Sequence, residues 1–264
     1  MNKINSIFAL SILLFFGTLC NAQSPLQTIV DRGSIIIGVS GNQPPFSLSK
    51  ADGSMIGFEI DLANKLAEQL GVRAQFVKLP FDNLMGALEE GKVDIIMSGM
   101  TMTTQRNTKF AFVGPYIVSG KSILSKSVIF TSKENSMELN RKKMKIATMA
   151  GTTSEDYVRE NYPAAKVTTV SNYDEAIDLI LKNNVDVMIS DYAECVFASF
   201  KYQDKNLRVM QDLLVTEPIG MAVKPDLLML NLLENFLKMM EETGDLEDLE
   251  AKWFRSGSWF TELD

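Results

Sequence analysis

Residues 87–99 read Ala87-Leu88-Glu89-Glu90-Gly91-Lys92-Val93-Asp94-Ile95-Ile96-Met97-Ser98-Gly99, and residues 178–191 read Asp178-Leu179-Ile180-Leu181-Lys182-Asn183-Asn184-Val185-Asp186-Val187-Met188-Ile189-Ser190-Asp191. Each stretch carries the pattern of a helix end, a tight turn, a short apolar strand and an abrupt polar stop. The stops differ in charge. The first runs on through Thr101 to Arg106, and the second ends at Asp191. A cleft between two such units suits a zwitterion.

Outward from these stretches, strands and helices alternate. Ser34 to Val39 is a β-branched run that predicts a buried strand. Pro44-Pro45 requires a loop, and Asp52-Gly53 predicts a hairpin turn. Leu62, Ala63, Leu66, Ala67 and Leu70 form one helix face closed by Gly71. Strand signals recur at Val72 to Val77, Val93 to Met97, Lys145 to Met149, Val167 to Val170 and Val185 to Ile189. Helix signals recur at Leu84 to Glu90, Glu155 to Asn161, Asp174 to Lys182 and Asp191 to Tyr202. The tail from Leu227 to Phe254 is expected as helix, with Leu230, Leu233, Phe236, Leu237 and Met240 as its apolar stripe. This grammar predicts an α/β fold with parallel sheets. Ligands in such sheets bind beyond the carboxyl ends of the strands, where both polar stops lie.

The start of the chain reads differently. Lys3, an apolar run from Ile7 to Leu19, and then Cys20-Asn21-Ala22 have the form of a secretory signal, so 1–22 is expected to be a signal peptide and the protein periplasmic. Acylation at Cys20 is the alternative, weakened by the bulk of Leu19. Cys195 would then be the single cysteine of the mature chain, which leaves no internal disulfide. Histidine is absent, which removes Ser-His-Asp and Cys-His catalysis and the usual zinc ligand sets. The net charge is −7 and basic runs are short, so no nucleic-acid partner is expected.

Several residues could carry chemistry. Arg106 follows a run of small and hydroxylated residues, and a guanidinium binds a carboxylate through two parallel hydrogen bonds; it could equally cap a loop. Thr101 could complete a carboxylate shell. Asp191 either caps the helix that follows it or holds an ammonium group. Gly151-Thr152-Thr153-Ser154 is either an anion-binding helix start or a plain cap. Phe81 is either core or a platform for stacking. Glu194, one helical turn after Asp191, could line a pocket, be solvated, or act as a general acid.

At these residues the chain resembles the periplasmic solute-binding proteins of polar amino-acid ABC transporters. The resemblance rests on Pro44-Pro45-Phe46, Gly57-Phe58-Glu59-Ile60-Asp61-Leu62-Ala63, Ser98-Gly99-Met100-Thr101 through Arg106, Gly114-Pro115-Tyr116, Gly151-Thr152-Thr153 and the Val-Asp segment ending at Asp191, all in family order. It implies a two-lobed periplasmic-binding-protein fold, each lobe a central sheet flanked by helices, joined by two hinge strands. Lobe 1 would be 25–119 plus 217–264 and lobe 2 would be 120–216, with hinges near Ser119-Gly120 and Glu217-Pro218. It implies that Arg106 takes a ligand α-carboxylate, with help from Thr101 and an amide near Thr153. Asp191 takes the α-ammonium together with the Gly99 carbonyl, and Phe81 stacks on the ligand. Gln43 and Met149 would line a mixed pocket. Many relatives have an aromatic where Gln43 stands, and some an acid where Ser40 stands, so a strongly cationic ligand is not expected. The protein would be a monomer without cofactor or metal that delivers a small amino acid-type solute to a membrane permease, and not an enzyme. The alternative within the resemblance is a cyclohexadienyl dehydratase using Glu194 as general acid.

Overall fold

The computed structural model describes residues 24–256 and 259–260. The expected signal peptide and Cys20 lie outside the described residues. The chain runs through α1 (Pro25–Arg32), β1 (Ser34–Val39), a small antiparallel ribbon of β2 (Asn42–Gln43), β3 (Ser47–Ser49) and β4 (Met55–Ile56), then α2 (Phe58–Gln69), β5 (Arg73–Lys78), α3 (Leu84–Glu90), β6 (Ile95–Ile96), α4 (Thr104–Asn107) and the long β7 (Ala111–Ser125). It continues with β8 (Lys145–Met149), α5 (Thr153–Asn161), β9 (Lys166–Val170), α6 (Tyr173–Leu181), β10 (Val187–Asp191), α7 (Tyr192–Lys201), β11 (Arg208–Val209), β12 (Val215–Val223), α8 (Leu227–Thr243) and α9 (Asp245–Glu250).

The strands form one sheet in the order β5-β1-β6-β12-β7-β10-β8-β9, with β11 also on β7. At one end β5, β1 and β6 are parallel, and at the other β10, β8 and β9 are parallel. Between them β7 and β12 run antiparallel to each other and to their outer neighbours. The expectation of parallel sheets therefore holds within each half and fails at the two central strands. These cross between the halves and pair over most of their length, with Ser119 opposite Glu217.

The echoed segments fold alike. Gly91 closes α3 in the left-handed conformation at φ 75°, and Asn183 takes φ 57° after α6. Asp94 and Asp186 each exchange two bonds with a neighbouring strand: Ile36 N–H donates to Asp94 Oδ2 at 2.7 Å, and Lys145 N–H donates to Asp186 Oδ2 at 2.8 Å. The reverse bonds run from Asp94 N–H to the Ile36 carbonyl and from Asp186 N–H to the Lys145 carbonyl. The repeated Val-Asp is thus a device that pins each strand to its neighbour.

The core follows the apolar faces. One cluster joins β1, α2, β12 and α8 through Ile35, Ile37, Phe58, Leu62, Leu66, Met221, Leu233 and Phe236. A second lies under β8 and β10 with Ile146, Val158, Val187 and Ile189. The tail is not one continuous helix. Gly244 adopts φ 81° and ends α8, α9 follows, and a single π-type turn covers Ala251–Arg255. A left-handed glycine at this position stops the helix because its backbone reverses hand.

Candidate functional site

The two polar strand ends come together where the halves of the sheet meet. Gly99 follows β6, and Asp191 ends β10 at the equivalent point of the echo. Gly99 has φ 57°, and a Cβ there would lie 2.4 Å from Gln43 Nε2, so the backbone approaches Gln43 closely because no side chain intervenes. Gln43 in turn donates from Nε2 to Asp191 Oδ2 at 3.4 Å. Gln43, Gly99 and Asp191 therefore form one contact chain across the two halves.

Asp191 stands at the N-terminus of α7 but makes no capping bond with its side chain. Its Oδ1 instead pairs with Lys121 Nζ at 2.7 Å. Lys121 is 1 % exposed and also reaches Glu217 Oε2 at 2.6 Å. Burial alone would pull the Lys121 ammonium toward neutrality, but Asp191 and Glu217 together outweigh it and hold its pKa above the ordinary lysine value. One oxygen of Asp191 is thus engaged by a cation from within the chain, and the other faces Gln43.

Glu217 gathers the polar contacts on the other side of Lys121. Its Oε2 accepts from Thr101 Oγ1 at 3.1 Å and from Thr153 Oγ1 at 3.1 Å, and the two hydroxyls lie 3.3 Å apart. Thr152, not Thr153, caps α5 by accepting from Glu155 N–H. This leaves the Thr153 hydroxyl free to face Thr101. Arg106 is half-buried on α4. Its Nη1 donates to the Thr101 carbonyl at 2.8 Å, and its guanidinium carbon lies 5.9 Å from the centroid of the Phe81 ring. Burial lowers its pKa, opposed by the charges of Glu217, Asp156 and Asp191. Phe81 and Met149 are buried in one cluster with Met100 and Tyr173. All eight residues expected at the site thus belong to one connected region.

Sequence reasoning missed four members. Lys121 follows the expected Ser119-Gly120 hinge, and Glu217 is part of the expected Glu217-Pro218 hinge but was given no role at the site. A lone lysine among Gly120, Ser122, Ile123 and Leu124 was an available signal, because a charge in a buried strand needs a partner. Glu59, 0 % exposed, accepts Gly99 N–H at 2.8 Å on Oε1 and also the Tyr116 hydroxyl. Burial pushes its pKa up to about 7, against the lowering effect of those two bonds. Glu59 and Tyr116 thus hold the backbone of Gly99 in place.

The chain matches the model of the bacterial extracellular solute-binding proteins, family 3, over residues 35–256. It belongs to that family. Within the family it is similar to the L-cystine-binding protein TcyJ of Escherichia coli (strain K12), with 26 % identity over 230 residues, 87 % of this chain and 85 % of the relative. Among solved structures it is similar to an ancestral amino acid-binding protein described as a precursor of cyclohexadienyl dehydratase, at 36 % identity and TM-score 0.80, covering 88 % of this chain and 100 % of that one. It is also similar to a binding component of an ABC transporter from Wolinella succinogenes complexed with lysine, at 31 % identity and TM-score 0.83, covering 87 % and 99 %. The two-lobed fold expected from the sequence is therefore the fold of this solute-binding protein.

Proposed function

We propose that this family member binds an α-amino acid between two lobes, 25–119 with 217–264 and 120–216, and presents the closed form to the membrane permease of an ABC transporter. It acts as a periplasmic monomer. The observation that carries this reading is the convergence of Arg106 and Thr101 from one half with Asp191 and Thr153 from the other. Arg106 takes the α-carboxylate, with the two hydroxyls turning to it from Glu217 Oε2, and Asp191 Oδ2 with the Gly99 carbonyl takes the α-ammonium. Burying either charged end unpaired is costly, so the ligand favours the closed state in which both are met. Calorimetric titration with the protein amino acids and cystine tests this. Arg106→Ala and Asp191→Ala are each expected to abolish detectable binding of the amino acid that the wild type takes. Near-normal affinity in either variant overturns the assignment.

A second reading, a dehydratase acting on a cyclohexadienyl acid, is favoured by Glu194. It is 2 % exposed, its Oε1 has no hydrogen-bond partner among the described residues, and burial, aided by Asp191 and Asp174, raises its pKa well above the carboxylate range. A carboxyl whose hold on its proton is strengthened by burial suits a general acid. Turnover of prephenate or arogenate by the purified protein, lost in Glu194→Gln, would establish it.

A further inference from the structure

The sheet register places Lys121 before any ligand arrives. Asp191 lies directly opposite Lys121 across the β7–β10 ladder, and Glu217 lies on β12 opposite Ser119, the residue two positions before Lys121 on the same face of β7. The ammonium is therefore fixed by three strands and held between two carboxylates at 2.7 and 2.6 Å. Asp191 Oδ1 is engaged by Lys121, while Oδ2 faces Gln43 at 3.4 Å. Glu217 Oε2 already takes three donors, Thr101, Thr153 and Lys121.

Among the groups that contact one another in the cleft the charges balance: Arg106 and Lys121 are cations, and Asp191 and Glu217 are anions, while Asp156, whose charge also reaches Arg106, is exposed to solvent. A zwitterion with an uncharged side chain leaves that balance intact: its carboxylate meets Arg106, and its ammonium meets Asp191 Oδ2. A second ligand cation, from a lysine- or arginine-like side chain, would meet carboxylates that are already neutralised and would be buried beside Lys121. Like charges brought together out of water are strongly disfavoured.

We propose that Lys121 is a specificity-determining residue: it fills the cation position of the cleft from within the chain, so that the site takes α-amino acids with uncharged side chains and turns away dibasic ones. This rests on the amino-acid-binding reading and names its ligand class.

Calorimetry on the full mature chain tests it, with L-glutamine and L-serine as uncharged probes and L-lysine and L-arginine as cationic ones. The wild type is expected to bind an uncharged probe at least about tenfold more tightly than either cationic one. In Lys121→Met the ratio should move toward L-lysine or L-arginine by about tenfold or more, and Lys121→Arg should restore the wild-type ranking. A purely structural lysine would instead weaken all probes together. Should Lys121→Met not fold, Glu217→Gln carries the test: it leaves the cleft with excess positive charge and should raise the relative affinity for L-glutamate. Wild-type binding of L-lysine or L-arginine equal to or tighter than the uncharged probes overturns this inference while leaving the amino-acid reading intact. An unchanged ranking in the variants does the same. Failure of the wild type to bind any amino acid overturns both.

Discussion

Glu59→Gln separates the cost of a buried carboxylate from its positional role. Glu59 is wholly buried on α2, and its Oε1 is hydrogen-bonded to Gly99 N–H and the Tyr116 hydroxyl, while Oε2 has no hydrogen-bond partner among the described residues. Its pKa rises from 4.5 to about 7. The folded state therefore holds the proton more tightly than the unfolded chain. Stability from this group is fully present below pH 4.5 and is lost as pH rises through about 7. A rise from 4.5 to about 7 corresponds to roughly 3 kcal/mol. A glutamine keeps the acceptor oxygen and stays neutral, so the variant should lack this loss. The measurement is urea unfolding of wild type and variant at pH 5, 6, 7 and 8, with other carboxylates cancelling in the difference. Relative to the variant, the wild type should lose roughly 2 kcal/mol or more between pH 5 and pH 8. A difference that stays constant across this range, or that grows in favour of the wild type at high pH, would show that Glu59 is ionised in the fold and refute the reasoning.

Three further outcomes follow from packing and backbone geometry, each read as unfolding free energy. Gly57→Ala should destabilise by on the order of 3 kcal/mol, because φ is 144° there and the added Cβ would lie 2.1 Å from the Phe46 carbonyl oxygen. A loss under about 1 kcal/mol would mean that the segment relaxes freely. Trp259→Ala should cost about 3 kcal/mol, since the ring is buried, stacks on Phe197 at 5.7 Å and donates from Nε1 to the Trp253 carbonyl; Phe200→Ala, half-exposed against Phe260, should cost distinctly less. Asp94→Ala should cost more than Asp186→Ala, by about 1 kcal/mol, because Asp94 Oδ2 also pairs with Arg32 and both carboxylates hold a strand amide. Equal losses would assign the Arg32 pair no weight, as for many partly exposed ion pairs.

Local features were legible in the sequence because short-range physics decides them. The 84–90 helix closed by Gly91, the 145–149 strand and the hairpin around Asp52-Gly53 all stand where periodicity and turn chemistry put them. The tail is helical as expected, but its apolar stripe ends at Met240 and gives no notice that Gly244 takes φ 81° and divides the helix before Leu246 and Leu249 of α9 dock on the core. Part of that docking is visible: Asp61 of α2 accepts from Lys252 and from the Trp253 indole. The motif from Gly57 to Asp61 that carried the resemblance thus has structural duties. Gly57 permits a close backbone approach, Phe58 fills the core, Glu59 fixes Gly99, and Asp61 anchors the tail.

The candidate site was half legible for a related reason. Asp191 ends β10 and Thr101 and Arg106 follow β6, and position relative to a strand can be read from a single segment. The Lys121–Asp191 pair cannot, because the partners are separated by 70 residues and meet only through the register of β7 on β10. That register exists because β7 runs antiparallel to β10, against the parallel order expected from alternating strands and helices. Had β10 met a parallel neighbour at this edge, its last residue would face a different part of that strand, and Asp191 would have stood at the cleft without a cation. The reversal at the two central strands therefore does two things at once. It joins the halves into one sheet, and it carries a lysine and a glutamate together, where the lysine pairs with Asp191 and the glutamate takes the Thr101 and Thr153 hydroxyls.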